Sequence, residues 1–243
     1  IRSLASIANP LPASPVLSVL PIWHSYERSA EYYFFSCGCT QTYTTIRHLK
    51  EDLPRVKPIV MATVPRLWES IKLTFDDVVE KMPRLQKILI KSAISNSKAY
   101  KLARRKINSL TIENTSILDQ IFSLFETLLR LPMHRLSSTY LWPKVLNKIC
   151  GGRLKFPISG GGAIAPHIDS FFEALGVELL VGYGLTETSP VLTCRRPWRN
   201  IRGSAGQPLP NTEIKIVDPE TFQLKNLYQK GLVLARGPQI MSG

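Results

Sequence analysis

The sequence predicts an α/β protein built around a layered parallel sheet. Short apolar runs that suit buried strands alternate with amphipathic segments that suit helices along most of the chain. In the second half, a glycine-rich turn joins the apolar run 154–159 to a helix predicted from Pro166 to Leu175, and the apolar run 177–181 follows. Because two strands and a helix lie this close in sequence, we expect a βαβ unit with parallel pairing and a right-handed crossover.

The first half of the chain adds three strands and three helices in alternation. Apolar or Thr- and Tyr-rich runs predict strands at 16–22, 41–46 and 58–65. Helices are predicted after them at 29–38, 49–56 and 66–75. This alternation favours the same layered α/β architecture.

The middle of the chain is helical and strongly basic. Residues 81–106 contain nine Lys or Arg and neither Asp nor Glu, and their apolar positions keep helical spacing. They predict a basic amphipathic helix or helix pair, which is either a solvated face or a docking surface for an acidic protein or an anionic membrane. Residues 117–131 predict a broad apolar helix that stops before Pro132 and packs within the protein or faces lipid, and 140–149 predict another helix.

The last part of the chain predicts a small β subdomain. Residues 213–218 and 231–236 alternate like antiparallel strands, and a polar, basic connection at 193–202 precedes them. We expect residues 1–200 to be part of one large domain and residues 201–243 to begin its smaller β subdomain. Both ends of the sequence are typical of the interior of a longer chain.

The composition narrows the classes of partner. The net charge of +13 permits attraction to nucleic acid, anionic lipid or an acidic protein. Residues 81–106 lack the interleaved aromatic residues of a surface for single-stranded nucleic acid, so we expect no nucleic-acid partner. Four cysteines without the paired spacing of a zinc site predict free thiols. Three prolines interrupt the apolar stretch 11–23, so no segment reaches the ~20 apolar residues of a membrane span, and we expect a soluble or membrane-peripheral protein.

Two glycine-rich loops follow the strands of the βαβ unit, and both lie at the same edge of the predicted sheet. The first holds three glycines at 160–162, whose backbone a flat base or a phosphate can approach closely because no Cβ intervenes. The second is the stretch 181–190, VGYGLTETSP. Tyr183 offers a ring face for a purine, Thr186 a hydroxyl for a phosphate oxygen, and Glu187 a carboxylate for Mg²⁺. Ligands of open parallel sheets bind at this edge, so the sequence predicts a nucleotide site there.

Each of these features also has a purely structural explanation. Three glycines suit a tight strand-to-helix turn, and Thr186 and Glu187 suit local capping. His24, which follows the predicted strand 16–22, suits a partly buried histidine that is bonded to nearby backbone. Other motifs do not match, because the sequence contains neither a G-x-x-x-x-G-K-[ST] phosphate loop nor a G-x-S-x-G elbow. Glu187 replaces the third glycine that a Rossmann fingerprint requires after Gly182 and Gly184, which makes a dinucleotide site a poor match.

Four stretches together resemble the adenylate-forming, or AMP-binding, enzyme superfamily. In chain order they read SGGGAIAP, GYGLTETSP, GSAGQPLPNTEIKIVD and GLVLARGPQIMSG. The stretch LPIWHSYER resembles the branch that activates long-chain fatty acids, with the nearest likeness to plant plastidial and cyanobacterial acyl–acyl carrier protein synthetases. The resemblance implies the N-terminal domain of that superfamily. It also implies that the sequence is an internal fragment, with a phosphate loop upstream and a C-terminal lid domain downstream of it.

The resemblance implies a role for the two glycine-rich loops and for one histidine. Tyr183 would stack on adenine, Thr186 would contact the α-phosphate, and Glu187 would bind Mg²⁺ as the metal ligand. His24 would lie near the carboxylate of the acyl substrate, and with Thr186 and Glu187 it would form the catalytic set. The nucleotide-binding set would be Gly160, Gly161, Gly162, Ala163, Gly182, Tyr183, Gly184, Leu185 and Thr186. Ala163 stands where many members of the superfamily have proline.

The implied reaction uses ATP and Mg²⁺ and has two steps. A long-chain fatty carboxylate attacks the α-phosphate of ATP to give acyl-AMP and pyrophosphate, and the thiol of acyl carrier protein or coenzyme A then displaces AMP. The resemblance also implies a plastid (chloroplast) location, and we expect the fragment to form no acyl-AMP by itself. The alternatives are a truncated, non-catalytic module that binds acyl groups or carrier protein, and a ligase for a different carboxylic acid.

Overall fold

A seven-stranded sheet forms the centre of the computed structural model, which describes residues 2–242. Its first five strands are parallel, in the order β2-β1-β3-β4-β5. Two short antiparallel strands, β6 and β7, extend the sheet beyond β5, and β8 and β9 form a separate antiparallel hairpin. The strands are β1 Pro15–Ser18, β2 Thr40–Tyr43, β3 Val60–Thr63, β4 Phe156–Ser159, β5 Leu180–Tyr183, β6 Thr193–Cys194, β7 Gln207–Pro208, β8 Glu213–Val217 and β9 Leu232–Arg236.

Helices cover the sheet and extend into a long hairpin between β3 and β4. They are α1 Ser25–Ser36, α2 Leu49–Val56, α3 Pro65–Glu80, α4 Arg84–Ile107, α5 Ile117–Leu136, α6 Trp142–Cys150 and α7 Pro166–Leu175. The basic stretch therefore forms the single helix α4, whose antiparallel partner is α5. Buried apolar side chains of the strands, of α2 and α3, and of α7 form the main core.

The predicted parallel sheet and βαβ unit are confirmed. β4 pairs with β5 in parallel, and Ser159 lies opposite Val181. The connecting helix α7 has the predicted bounds, because Pro166 suits the first helical turn and Gly176 ends the helix in a left-handed conformation at φ +101°. The predicted hairpin of β8 and β9 is also present. The domain boundary at residue 201 stays a prediction, although β7 lies beyond it and pairs within the large sheet.

The helix predicted at 29–38 begins earlier, at Ser25. His24 caps its start, because the Nδ1 atom of the imidazole accepts a hydrogen bond from the backbone N–H of Tyr26 at 3.2 Å. Histidine is not one of the usual N-cap residues, so the sequence carries no recognisable start signal at this position.

The helix predicted to stop before Pro132 continues to Leu136. Proline lacks the N–H that the helix uses and costs about 3 kcal/mol in a helix interior. The turn after it is nevertheless held by α4, because His134 Nδ1 lies 3.1 Å from Ser97 Oγ and the His134 ring stacks on Tyr100 with 4.0 Å between centroids. Tertiary contacts therefore override the local stop signal at this proline.

Two carboxylates of α7 lie in a buried network of ion pairs. Asp169 and Glu173 are each only 3% exposed. Asp169 accepts a hydrogen bond from Arg195 Nη1 at 2.7 Å, and Glu173 accepts one from Arg105 Nε at 2.6 Å and also pairs with Arg202. Burial, together with the neighbouring Arg105, lowers the pKa of Arg202 to about 10.

This network joins three parts of the chain that lie far apart in sequence. Arg105 belongs to α4, and Arg195 follows β6 directly. The stretch 193–202, predicted as a polar connection, is therefore partly interior, with Arg195 and Arg196 almost fully buried. Its charges indicated a solvated loop because the sequence does not display the carboxylates of α7 that neutralise them.

We predict that Arg195→Met destabilises the protein by about 3 kcal/mol, because the substitution removes the direct partner of a buried Asp169 carboxylate. The matched control is Arg199→Met, whose side chain is exposed and should change stability by less than about 0.5 kcal/mol. Urea denaturation measures both. Equal midpoints for the two variants would mean that the ion pair contributes nothing to stability.

Candidate functional site

The two predicted loops lie next to each other at the carboxyl ends of β4 and β5. The first loop begins at Gly160, directly after β4, and the second begins at Gly184, directly after β5. Ligands of open parallel sheets bind at this edge, because loops from several strands converge there. The prediction that the two loops lie side by side is therefore confirmed by the strand pairing.

The backbone of the first loop packs closely against α1. A Cβ on Gly160 would lie 3.1 Å from Cζ of Tyr26, so the Tyr26 ring rests against the bare backbone at this position. The Tyr26 hydroxyl donates to the backbone oxygen of Ile158 at 3.1 Å, and burial raises the pKa of this phenol well above its ordinary range. Tyr26 is a site residue that sequence reasoning missed. The available signal was its place between His24 and Glu27 in the LPIWHSYER stretch.

The second loop is held by a tight return of the chain. A Cβ on Gly184 would lie only 1.9 Å from the backbone oxygen of Pro190, so only glycine fits. The N–H of Leu192 donates to the backbone oxygen of Tyr183 at 2.9 Å and closes the loop. Thr188 is buried, and its hydroxyl bonds to the backbone of Leu185 at 2.9 Å, which fixes a short 3₁₀ turn.

The side chains with the predicted chemistry point outward from this fixed turn. Tyr183 is 37% exposed, and Thr186 and Glu187 are also exposed. The Ser25 hydroxyl lies 3.4 Å from Thr186 Oγ1, which brings the start of α1 to the same place. His24 also lies there. Because its Nδ1 accepts from the Tyr26 N–H, the proton of the neutral ring is on Nε2, which can donate to a substrate oxygen.

A cavity of about 320 Å³ opens between α1 and the strand ends, and we call it the apolar cavity. One end of it contains His24, Ser25, Thr186 and Glu187. Its remaining walls are mostly apolar and come from the N-terminal segment, from α1 and from the sheet. These wall residues are Leu4, Ile7, Ala8, Ala30, Tyr33, Phe34, Ala62 and Ile158.

A second cavity of about 460 Å³ adjoins the first, and we call it the glycine cavity. Gly162, Ala163 and Ile164 line it together with residues 203–205. Four residues line both cavities, and we call them the shared wall. They are Gly161, Gly182, Tyr183 and Gly184.

The predicted site residues thus divide between two neighbouring spaces. Gly160, Leu185, Thr186, Glu187 and His24 line the apolar cavity alone. Gly162 and Ala163 line the glycine cavity alone, and the shared wall holds the others. All of the predicted residues are therefore brought to one region, but this division was not predicted. Their individual roles stay predictions.

A buried carboxyl lies one helical turn from this region. Glu27 on α1 is 2% exposed, and its Oε2 has no hydrogen-bond partner among the described residues. Burial raises the pKa of Glu27 to about 7, and Glu31 adds to the shift while a hydrogen bond from Ser18 opposes it. Glu27 therefore changes its charge near neutral pH, unlike an ordinary surface glutamate.

The candidate metal ligand, Glu187, does not belong to a cluster of metal-binding side chains within residues 2–242. Within residues 2–242 there is no group of three or more His, Cys, Asp or Glu side chains close enough to hold a metal ion together. Glu187 instead presents a single exposed carboxylate beside Thr186. Such a site suits Mg²⁺ that is bound mainly by phosphate oxygens and water, with one or two protein carboxylates.

Comparison with known proteins identifies a family match and several relatives. The sequence matches the family described as AMP-binding enzyme over residues 2–243. The chloroplastic long-chain-fatty-acid–[acyl-carrier-protein] ligase AEE15 of Arabidopsis thaliana is 38% identical over 251 residues, which cover 100% of this chain and 34% of that protein. Human long-chain-fatty-acid–CoA ligase 1 is 26% identical over 247 residues, covering 100% and 31%. The chain therefore spans about a third of these relatives.

Solved structures share the fold. A long-chain-fatty-acid–CoA ligase from Archaeoglobus fulgidus gives a TM-score of 0.60 at 16% identity, covering 100% of this chain and 38% of that one. O-succinylbenzoate coenzyme A synthetase from Bacillus subtilis, solved in complex with AMP, gives 0.58 at 17% identity, covering 99% and 36%. At such low identity the likeness establishes the common architecture.

We predict that Gly184→Ala costs about 1–3 kcal/mol, because its Cβ would overlap the Pro190 carbonyl. The matched control is Gly182→Ala, whose Cβ would meet Cys194 Sγ at an ordinary 3.7 Å and should cost less than about 1 kcal/mol. Urea denaturation, with limited proteolysis of residues 184–190, measures the effect. If Gly184→Ala is as stable and as protease-resistant as Gly182→Ala, the loop is not held as described.

We predict a pH dependence that belongs to Glu27. A carboxyl whose pKa is raised to about 7 from its ordinary 4.5 contributes stability that is fully present below about pH 4.5 and is lost as pH rises through about 7. The stability of Glu27→Gln relative to wild type should therefore be higher at about pH 8 than at about pH 5, by about 2.5 kcal/mol. Urea denaturation at the two pH values measures this.

The matched control for this experiment is Glu51→Gln, because Glu51 is exposed. As a surface substitution it should change stability by less than about 0.5 kcal/mol at either pH value. If the stability difference between wild type and Glu27→Gln is also the same at both, Glu27 does not titrate in this range.

Proposed function

The chain belongs to the AMP-binding enzyme family, and on this premise we propose that it is part of an ATP-dependent, AMP-forming ligase that activates long-chain fatty acids. The observation that carries this proposal is the shared wall of Gly161, Gly182, Tyr183 and Gly184 between two different cavities. An acyl-AMP molecule consists of an apolar chain joined to a nucleotide. It would fit with one part on each side of that wall.

The apolar cavity suits an acyl chain. It extends from the polar end at His24 and Thr186 towards Tyr33 and Phe34 of α1, which are both buried. A volume of about 320 Å³ lies at the lower end of the range that encloses drug-sized ligands. A carboxylate at the polar end would then place its hydrocarbon chain among apolar side chains, where burial is favourable.

The glycine cavity suits an adenine ring. Gly161 and Gly162 present backbone without side chains, which leaves space for a flat base. Tyr183 forms part of the same wall and offers an exposed aromatic ring face for stacking. A relative of the same fold has been solved with AMP, which supports a nucleotide in this region.

The polar end of the apolar cavity suits the reacting phosphate. Thr186 can donate its hydroxyl to a phosphate oxygen, and Glu187 can ligate Mg²⁺, which would neutralise charge on the polyphosphate. The N-terminus of the twelve-residue helix α1 begins at the same place and favours an anion there. His24 Nε2–H can donate to the carboxylate and hold it near the phosphorus.

The proposed reaction proceeds in two transfers. The carboxylate oxygen forms a bond to the α-phosphorus while the bond to pyrophosphate breaks, which gives acyl-AMP. The thiolate of acyl carrier protein or coenzyme A then attacks the acyl carbonyl, and AMP leaves. In-line displacement of this kind depends mainly on positioning and charge neutralisation, and these are the roles that Thr186, Glu187 and His24 are suited to perform.

The acceptor and the location rest on the relatives. The relatives at 38% and 26% identity are named as carrier-protein and coenzyme A ligases respectively, and both acceptors present a thiol to the second step. The chloroplastic name of the more similar relative supports a plastid location for the whole protein.

We predict that Glu187→Gln in the intact protein lowers fatty-acid-dependent ATP–pyrophosphate exchange at least about a hundredfold, because it removes the proposed Mg²⁺ ligand. Glu220→Gln, at an exposed position near the β8–β9 hairpin, is the matched control and should exchange normally. Exchange is measured over a series of fatty acids of increasing chain length. No exchange with any fatty acid in the wild-type intact protein would rule out the proposed reaction. Equal exchange in both variants would rule out the role of Glu187.

A further inference from the structure

Helix α5 presents its apolar residues outward and its polar residues inward. Ser123 and Thr127 of α5 are buried against the protein, as is Ser137 directly after the helix. The large apolar side chains lie on the opposite side, and we define the α5 apolar face by six of them, each between 58% and 82% exposed. They are Ile117, Leu118, Phe122, Phe125, Leu128 and Leu129. A helix that met only water would have the reverse arrangement.

The contacts of α5 with α4 fix this orientation. Asn96 Nδ2 donates to the backbone oxygen of Arg130 at 3.1 Å, and His134 pairs with Ser97 and stacks on Tyr100. At the start of α5, Ser116 and Asp119 form a capping box. Turning the helix to bury its apolar face would break these contacts with Asn96, Ser97 and Tyr100. It would also bring apolar side chains of α5 against the polar side chains of α4. The outward face is therefore a specified feature of the fold.

An exposed apolar surface of this extent indicates a binding surface. It is a face of a twenty-residue helix, and none of the helices within residues 2–242 is long and apolar enough to cross a bilayer. A helix of this kind, apolar on one side and polar on the other, is typical of segments that lie in the plane of a membrane surface.

The charges around the helix are basic. α4 carries eight Lys or Arg and no acidic residue. Arg104 on α4 and Arg135 near the end of α5 are exposed. Glu80 pairs with Lys87 and Lys91, and Glu126 pairs with Arg130. Glu113 and Asp119, before and at the start of α5, are exposed acidic residues, so the bases outnumber the acidic groups without being alone there. Anionic headgroups are attracted to such a surface by about 1 kcal/mol for each Lys or Arg that lies near them.

We propose that the α5 apolar face and the exposed bases of α4 and α5 dock on an anionic lipid bilayer, with α5 lying in the interface. Two copies of the chain would bring two basic helices together, which like-charge repulsion opposes. An acidic protein would satisfy the bases, but it would need an apolar surface of its own to match α5. An anionic bilayer satisfies both. The proposal does not depend on the activity of the site.

The stretch predicted as an electrostatic surface thus has a narrower role than its charge indicated. Lys101 lies 3.8 Å from Glu178 in a partly exposed pair, and Arg105 is buried with Glu173, so both already have partners within the fold. Substitution of either would test stability rather than docking. The bases available to a partner are exposed ones such as Arg104 and Arg135.

The test is co-sedimentation of the intact protein with phosphatidylcholine vesicles that contain or lack phosphatidylglycerol. We expect salt-sensitive binding to the anionic vesicles, and Phe122→Ser/Phe125→Ser should weaken partitioning at least about tenfold. The matched control is Phe222→Ser. Phe222 is 61% exposed and lies outside α5, so this variant should bind as wild type does. Arg104→Gln/Arg135→Gln should reduce binding to anionic vesicles by about tenfold and leave the weaker binding to phosphatidylcholine unchanged.

Thermal melting and sedimentation velocity accompany the binding measurement. The two phenylalanines are exposed, so the double variant should melt no lower than wild type. Equal vesicle binding by wild type and the folded double variant would overturn the proposal. Failure of the wild-type protein to bind anionic vesicles at low salt would also overturn it. That result is expected if another segment of the whole protein covers α5. A dimer that the double variant abolishes would assign the face to a second copy.

Discussion

The pairing of two buried carboxylates with three arginines is the interaction on which the geometry of the candidate site depends. Asp169 and Glu173 lie on α7, the crossover helix of the βαβ unit. Arg195 reaches Asp169 from the end of β6, and β6 pairs with β5. The ion pair therefore holds the strand that returns from the second loop, and the loop that carries Thr186 and Glu187 is fixed at both ends. A shift of α7 would therefore displace both glycine-rich loops of the site.

Such a network has a cost as well as a benefit. Charges taken out of water are stabilised only if their partners are in place, so loss of one arginine leaves an uncompensated carboxylate. Here three cations face two anions, and the lowered pKa of Arg202 reflects burial first and then that excess of positive charge. The arrangement specifies a single register between α4, α7 and residues 195–202, because another register would leave charges unpaired.

Local signals predicted the parts of the fold and of the site that are set locally. Pro166 and Gly176 mark both ends of α7, and the glycine-rich stretches mark the two loops, because backbone conformation at these positions is decided by the residue itself. The features that sequence reasoning missed depend on distant partners. Tyr26 acquires its role from Gly160, and Arg195 becomes an interior residue only beside Asp169. The division of the site into two cavities likewise arises from the packing of α1 on the loops.

The same distinction accounts for α5. The sequence displays a broad apolar face, and a protein in water normally turns such a face inward. The inner side is instead specified by contacts with α4. Asn96 bonds to the backbone oxygen of Arg130, Ser97 pairs with His134, and Tyr100 stacks on the His134 ring. Local pattern and tertiary packing would conflict if water were the only solvent that the protein meets. They agree if the outward side meets the apolar region of a bilayer, and consistency of this kind across levels is what distinguishes a specified feature from a defect of folding.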